Sequence, residues 1–458
     1  MVPLRVTARW VVPVSGAPVA HGAVLVGADG RIEAVGPDAA VPRPPGARDV
    51  PLGDAALLPG LVDAHSHLEL TALRGLVRDL PFPDWLMTVR AIKDALDPAA
   101  FRASARWGIL EGFAAGITTF GDTGSSLQVA PALAELGGRG VVYHEVIGPD
   151  PAGCAAALAG LERDLAGLAA FRSERVALGV SPHAPYTVSE PLLRAVASLA
   201  SARGLPAAMH VAESPEERAL VEEGRGPFAE RLRARGIPVE PRRRSTVAWL
   251  ESAGLLDCRP LLIHCVTAGP VDFEIARRHG ASVAHCPWSN AVLGHGRADL
   301  AAMRRAGVTV GLGTDSVVAG GRLDLFAEAR LAALGVAGGL APRELLALMT
   351  AGGAAALGLP RLGTLEVGGW GDLAAVGLAA PAFAETADPE AAVAWGAAAA
   401  DVVFTAVAGR VVFARGTWPG AEMAAERAAF AAAAGAAAVS RESAARGMFG
   451  PSPRRGGG

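Results

Sequence analysis

Lysine and cysteine are both scarce in this 458-residue chain. Lys93 is the only lysine among 42 basic residues. The four cysteines, Cys154, Cys258, Cys265 and Cys286, contain no C-x-x-C pair. This pattern argues against a disulfide framework and against a cysteine-ligated zinc site, and it fits a reducing cytoplasm.

The chain also lacks an excess of one charge and a long apolar run. It has 42 basic and 45 acidic residues, a net charge of -3, and only 19% charged residues. No field of one sign is available to attract nucleic acid or an anionic membrane. No uncharged apolar stretch of about 20 residues occurs, so no membrane-spanning helix is expected. We therefore expect a cytoplasmic protein that binds a small molecule and neither nucleic acid nor a membrane. A homodimer is expected as well.

Short apolar runs are the main structural signal. Eight of them alternate with alanine-rich helical stretches, which predicts repeated βα units and an α/β fold built as a (β/α)8 TIM barrel over residues 56–357. An insert near 224–258 precedes the sixth strand. The sequence pattern of residues 1–55 and 358–418 predicts short strands and turns. Residues 419–458 are predicted to form a C-terminal helix and a flexible tail.

Polar residues stand where the predicted barrel strands end, which is the rim that carries active sites in barrel enzymes. His65 and His67 are two positions apart in an extended segment, so their imidazoles face the same side. With His210 and Asp315 they form an N3O set suited to one divalent ion, with Zn²⁺ preferred and Fe²⁺ possible. The fourth predicted strand has no lysine for a carboxylated bridge between two metals. Lys93 is expected far away in the first helical stretch, so a single metal is predicted.

Several segments together resemble the amidohydrolase superfamily, and within it the purine-type deaminases. They are PGLVDAHSH, SPHAPYT, HVAE, HCV, HCPWSN and GLGTDS, and the resemblance runs from about 54 to 416. It implies that the strands of the two termini form one small composite β-sandwich domain. The chain departs from the family at GGWGDL, where Trp370 replaces the usual lysine; this concerns the sandwich rather than the chemistry.

The resemblance also implies roles for three catalytic residues. Asp315 is expected to bind the metal, accept the proton of the attacking water and pass it to the leaving amine. Glu213, in the family's His-x-x-Glu pattern, is expected to act as general acid/base toward a ring nitrogen. His264 is expected to orient the water from beside the metal.

The same resemblance indicates a nucleoside-sized substrate. The expected substrate contacts are His183, Ser289, Asn290, Glu69, Trp85, and an arginine, Arg74 or Arg78, for a carboxylate. The segments HLEL and HVAESPEERALVEEGRGPFAERL most resemble aminodeoxyfutalosine deaminases of the menaquinone route. S-adenosylhomocysteine/methylthioadenosine deaminases are the alternative.

Other interpretations stay open at this point. The same metal-activated water serves chlorohydrolases and ring-amide hydrolases, and a non-catalytic scaffold is a third possibility. The H-x-E and P-C-x-x-C pair of nucleic-acid base deaminases does not occur in the sequence. His144 and His285 are equally compatible with site and structural roles, and His21, His279 and His295 are expected in loops or at the surface.

Overall fold

Strands and helices alternate through the middle of the chain, and further strands lie at both ends. The computed structural model describes residues 2–383 and 385–449, so the predicted tail at 450–458 lies outside the described residues. The strands are β1 (Leu4–Val11), β2 (Val19–Val26), β3 (Ile32–Pro37), β4 (Arg48–Pro51), β5 (Ala55–Pro59), β6 (Leu61–Ser66), β7 (Ile117–Gly124), β8 (Arg139–Val146), β9 (Val176–Pro182), β10 (Ala208–Val211), β11 (Leu261–His264), β12 (Ser282–His285), β13 (Thr309–Leu312), β14 (Leu373–Gly377), β15 (Val402–Val407) and β16 (Arg410–Ala414).

The helices vary from single turns to one long terminal helix. They are α1 (Phe82–Lys93), α2 (Pro98–Ala114), α3 (Val129–Leu136), α4 (Cys154–Leu168), α5 (Glu190–Arg203), α6 (Pro215–Glu223), α7 (Pro227–Ala234), α8 (Thr246–Ala253), α9 (Pro270–His279), α10 (Pro287–Val292), α11 (Leu300–Ala306), α12 (Val317–Gly320), α13 (Leu325–Leu334), α14 (Pro342–Met349), α15 (Ala351–Ala356), α16 (Pro389–Ala391) and α17 (Met423–Phe449). Within the described part of the chain, no helix has the length and apolarity needed to span a bilayer.

Each of the eight predicted central runs overlaps one strand from β6 to β13. The first run also covers most of β5, which belongs to the sheet of the termini. These strands form two parallel four-stranded sheets, ordered β6-β7-β8-β9 and β10-β11-β12-β13. Parallel bridges join the sheets at both seams, Val180 to Ala207 and Ser66 to Asp315. The carboxyl ends of all eight strands therefore lie on one side, which brings the residues after them together.

The strands of the two termini form a single mixed sheet of eight strands. Its order is β16-β15-β14-β5-β1-β2-β3, with β4 paired to β1. Strand β5 is parallel to β1 and antiparallel to β14, so Leu57 pairs with Val11 on one side and with Ala375 on the other. The two ends of the chain thus share one sheet, and its division into two facing layers stays a prediction.

The departure at Trp370 has a structural explanation. The guanidinium groups of Arg31 and Arg139 lie 3.5 Å and 4.3 Å from the centre of its ring, so Trp370 takes part in two cation–π contacts. Arg139 also donates two hydrogen bonds to Asp372, at 2.9 Å and 3.0 Å. Because Arg139 belongs to β8 and Asp372 precedes β14, this buried pair fastens the mixed sheet to the central strands.

Candidate active site

The four predicted metal ligands lie together at the carboxyl ends of the central strands. His65 is in β6, His67 follows it, His210 is in β10 and Asp315 follows β13. Asp315 Oδ1 lies 3.2 Å from His65 Nε2 and 3.4 Å from His67 Nε2. His67 Nε2 lies 3.3 Å from His210 Nε2. Side chains from three distant parts of the sequence therefore direct their ligand atoms at one small volume.

The hydrogen bonds of these imidazoles leave nitrogen lone pairs available to a cation. His210 Nδ1 donates to the backbone carbonyl of His183 at 2.8 Å, so its Nε2 is free to bind a metal. His65 is fully buried; among the described residues its Nδ1 has no hydrogen-bond partner, and its Nε2 faces only Asp315 Oδ1, without a well-aligned hydrogen bond. Burial lowers the pKa of His65 to about 4, which keeps the ring neutral. The donor set therefore fits a divalent ion of the zinc type.

Backbone hydrogen bonds fix the chain at Asp315 and Ala212, which, like His264, have left-handed conformations. Asp315 has φ 55° and Ala212 has φ 51°, and each such non-glycine residue costs about 1–3 kcal/mol. Asp315 N donates to the carbonyl of His65 at 2.9 Å. The buried carboxylate of Glu217 accepts from Ala212 N at 2.7 Å and from Glu213 N at 2.9 Å. These contacts fix the direction in which Asp315 and Glu213 enter the site.

Glu213 lies among three polar side chains. Tyr186 donates its hydroxyl to Glu213 Oε2 at 2.9 Å. His264 Nε2 and His295 Nε2 lie 3.5 Å and 3.4 Å from Glu213 Oε1. Burial by itself raises the pKa of Glu213, but His264 and His295 outweigh it and hold the pKa below its ordinary value. Glu213 is therefore an ionised, buried carboxylate, as a proton acceptor requires.

Sequence reasoning missed the contribution of His295. It lies in a loop, as expected, but its side chain is only 1% exposed rather than at the surface. The ring packs edge-on against Phe82, with centroids 4.4 Å apart. Tyr186 was not singled out either, although it belongs to the SPHAPYT segment that carries the family resemblance. A loop histidine has no periodicity to reveal where the loop folds back.

Ser289 and Asn290 contact other site residues instead of the open volume. The Ser289 hydroxyl donates to Asp315 Oδ2, which leaves Oδ1 directed at the histidines. Asn290 Oδ1 accepts from His264 Nδ1 at 2.9 Å, which directs His264 Nε2 toward Glu213. Both residues are fully buried. Their contacts orient the groups that would face a metal and a substrate.

A cavity of ≈ 380 Å³ opens over these residues. Its inner wall includes His67, His210, Glu213, His264 and Asp315. Two of the predicted substrate contacts, Trp85 and His183, also line it. Helices α1 and α7, with Arg235 directly after α7, supply the outer wall, which includes Phe82, Leu86, Met87, Arg90, Phe228, Arg231, Leu232 and Arg235. The site is thus apolar with a few converging polar groups, as small-molecule sites usually are.

Two other predicted contacts lie behind the cavity wall. Glu69 accepts hydrogen bonds from Ser125 N at 3.2 Å and Ser126 N at 2.7 Å, and its side chain is fully buried. Arg74 donates to Glu111 at 3.1 Å and to the carbonyl of Gly321 at 2.9 Å. Neither is among the described residues that line the cavity.

The expectation that Lys93 lies far from the site is wrong. Its ammonium pairs with Glu69 and lies 3.9 Å from Glu145 Oε2, and Lys93 lines the same cavity as His67. The chain separation between Lys93 and the predicted strands concealed this position, because helix α1 folds back over the ends of the strands.

The two ambiguous histidines do not line the cavity within the described residues. His144 Nε2 lies 3.1 Å from Asp164 Oδ2, on the side of α4. His285 is buried, and burial followed by the charge of His264 lowers its pKa to about 4. Both positions fit supporting roles outside the cavity.

Comparisons with known proteins show which proteins this chain resembles. Two 5-methylthioadenosine/S-adenosylhomocysteine deaminases match most of the chain. The protein of Moorella thermoacetica is 32% identical over 89% of this chain and 93% of its own length. That of Halobacterium salinarum is 35% identical over 86% and 89%.

Two solved structures share the fold. An adenosine deaminase from Xanthomonas campestris with bound zinc has a TM-score of 0.83 at 27% identity, covering 95% of this chain and 98% of its own. The aminofutalosine deaminase of Helicobacter pylori has a TM-score of 0.76 at 22% identity, covering 90% and 100%. The family model "Amidohydrolase family" matches residues 56–412. The chain therefore belongs to the amidohydrolase family and is a hydrolase.

Proposed function

We propose that this hydrolase is a zinc-dependent deaminase that removes the amino group from the adenine of a nucleoside-type substrate. The observation that carries the proposal is the meeting of two sets of groups in one cavity. One is the N3O set of His65, His67, His210 and Asp315, and the other is the carboxylate of Glu213. The curated relatives, at 32% and 35% identity, are deaminases of adenosine derivatives.

The proposed architecture is a (β/α)8 barrel whose eight strands close through the two bridged seams. The reacting groups then lie at the carboxyl ends of the strands, where barrel enzymes carry their active sites. The mixed sheet of the termini lies outside this arrangement and contributes no residue to the cavity wall among the described residues.

The residues divide the proton transfers between them. A zinc ion held by the N3O set would lower the pKa of a bound water toward neutrality. Asp315 Oδ1 faces the histidines and would bind the ion, whereas Oδ2 accepts from Ser289 and keeps a second lone pair that can take a proton and return it to the departing amine. Glu213 Oε1 is placed to carry a proton to a ring nitrogen, since Tyr186 occupies Oε2.

The favoured substrates are methylthioadenosine and S-adenosylhomocysteine, because the relatives that match at above 30% identity bear those names. Aminodeoxyfutalosine, of the menaquinone route, is a second candidate. Arg235 of the outer wall favours a substrate that carries a carboxylate, as S-adenosylhomocysteine and aminodeoxyfutalosine both do. Arg90 and Arg231 of the same wall already pair with Asp94 and Asp84.

The test is a comparison of kcat/KM on zinc-loaded protein for aminodeoxyfutalosine, S-adenosylhomocysteine, methylthioadenosine and adenosine. Ammonia release and the adenine-to-hypoxanthine absorbance change are followed together. Ammonia from one or more of these substrates supports the proposal, and the largest kcat/KM identifies the substrate. No ammonia from any of the four refutes it and favours ring-amide hydrolysis or chlorohydrolysis by the same site.

A further inference from the structure

Helix α1 forms much of the outer wall of the cavity, so an open volume rather than a packed core lies beneath part of it. Its residues that line the cavity include Phe82, Trp85, Leu86, Met87, Val89 and Arg90. A helix of 12 residues is only marginally stable without tertiary contacts, and an open volume supplies few of them. Among the described helices and strands, α17 packs against α1 more extensively than any other. The position of α1 therefore depends on a contact made outside the cavity.

The first part of α17 is fastened to α2. Arg106 Nε lies 3.1 Å and 3.0 Å from the two carboxylate oxygens of Glu426, and Arg106 Nη2 pairs with the same carboxylate. These two side chains are only 16% and 12% exposed. The ring of Phe430 stacks on that of Trp107, with centroids 4.8 Å apart and planes 10° apart. Since α2 packs against β7, α17 is anchored to the central strands before it reaches α1.

The next two turns of α17 continue this contact onto α1. Ala433 and Ala437 are 3% and 0% exposed, and they belong to one buried apolar cluster with Trp85, Val89 and Ile92 of α1. They lie on the face of α17 that contacts α2, because successive spacings along that face are four, three and four residues. Interiors are close-packed, so a larger side chain at either position would displace its neighbours. The two alanines thus set how closely the helices approach.

We propose that α17 is a positioning element of the substrate cavity, in which Ala433 and Ala437 hold α1 at a fixed distance from the strand ends. The predicted metal ligands and Glu213 lie at or shortly after the ends of the central strands, so their placement does not depend on this contact. Loosening the contact should change the cavity wall and leave the metal site intact. The inference goes beyond the proposed function, because it concerns α1 and applies to any substrate that the cavity takes.

Hydrogen exchange tests the contact without turnover. In zinc-loaded Ala433→Leu protein, the amides of residues 82–93 are expected to exchange about 10-fold faster or more, while those of β6 keep their rate. The larger side chain separates α1 from its main neighbour. Phe430→Ala, which removes the ring stacked on Trp107, is a second variant with the same expected result.

The matched control for the exchange measurement is Ala432→Leu, which places the same side chain one position away at an exposed site. It is expected to leave the exchange of residues 82–93 and of β6 unchanged. Unchanged exchange of residues 82–93 in both Ala433→Leu and Phe430→Ala overturns the proposal. Equal acceleration in β6 overturns it as well, because a general loss of stability then accounts for the effect.

Steady-state kinetics test whether the contact matters for the substrate. With the best of the four substrates, Ala433→Leu is expected to raise KM about 10-fold or more and to change kcat by less than roughly threefold, at unchanged zinc content. Ala433→Ser keeps the side chain small and is expected to retain the unmodified KM. An unchanged KM in Ala433→Leu, or a loss of zinc together with activity, overturns the role in substrate binding. If none of the four substrates is deaminated, the proposed function fails, whereas hydrogen exchange still decides whether α17 positions α1.

Discussion

Replacing His295 with asparagine is expected to shift the pH profile of the enzyme. His295 Nε2 lies 3.4 Å from Glu213 Oε1, and the two side chains are 1% and 5% exposed. Burial alone lowers the pKa of His295, but Glu213 outweighs it and raises that pKa, which favours the imidazolium. Asparagine keeps a hydrogen-bond donor of similar reach and removes the charge. The variant therefore isolates the electrostatic part of the contact.

The size of the effect follows from this distance. Two unit charges 3.4 Å apart interact by roughly 5 kcal/mol at an effective dielectric constant of about 20. Hydrogen bonds to charged groups contribute about 1.5–3 kcal/mol. One pKa unit corresponds to about 1.4 kcal/mol. Loss of even the smaller of these two interaction energies therefore raises the pKa of Glu213 by about 1.

The sign of the shift is fixed by which form of Glu213 the imidazolium stabilises. His295 favours the carboxylate, as do His264 and His210, while Asp315 and Glu216 favour the charged His295. Without the imidazolium, Glu213 is protonated at higher pH, so the acid limb of kcat/KM moves upward. The basic limb does not report on Glu213.

The assay is the pH dependence of kcat/KM on the best substrate, with bound zinc measured at each pH. His279→Asn is the matched control, because that histidine is 25% exposed and pairs with Glu251 away from the cavity. The control profile should coincide with that of the unmodified protein. A His295→Asn profile that falls in height without moving along the pH axis would show that His295 only packs against its neighbours, and would refute the electrostatic argument.

Other substitutions test the remaining parts of the site and the fold. Glu213→Gln should retain its metal and lose at least about 100-fold in kcat, the scale of general acid/base catalysis; metal analysis and steady-state kinetics check this, and unchanged turnover would contradict the role. Asp315→Asn should lower both zinc content and activity, and full activity of chelator-stripped protein would contradict the metal site. Asp372→Asn should lower the free energy of unfolding by about 3–5 kcal/mol in urea titrations, because it leaves buried Arg139 without its anion. Asp257→Asn, 70% exposed, should change little.

The positions of the strands and of the strand-end histidines were predictable from sequence for one reason. Parallel strands buried on both faces are short apolar runs, and their carboxyl ends meet wherever the strands lie side by side. That rule predicts that His65 and His210 lie close together, although they are 145 positions apart in the sequence. No knowledge of loops is needed to bring them together.

The rest of the site depends on loops and on helix packing, which leave no periodic signal. His295 and Lys93 reach the cavity because a loop and helix α1 fold over the strand ends. Conversely, Glu69 and Arg74 follow the predicted metal histidines closely in sequence, yet neither lines the cavity among the described residues. Glu69 pairs with Lys93 and accepts from Ser126 N, and Arg74 pairs with Glu111. Nearness in sequence to a site residue did not predict which side of the wall a side chain faces.

Because strands from both ends of the chain share one sheet, this sheet cannot be completed until the last strands have been synthesised on the ribosome. Strand β5 lies between β1 and β14. Leu57 of β5 pairs with Ala375 of β14, which is synthesised about 300 residues later. At about 5–20 residues per second, that delay is roughly 15–60 s. Until then one edge of β5, with its unpaired backbone groups, is available to other chains. The nascent protein therefore depends on late sheet completion, and slowing translation between β5 and β14 should increase aggregation.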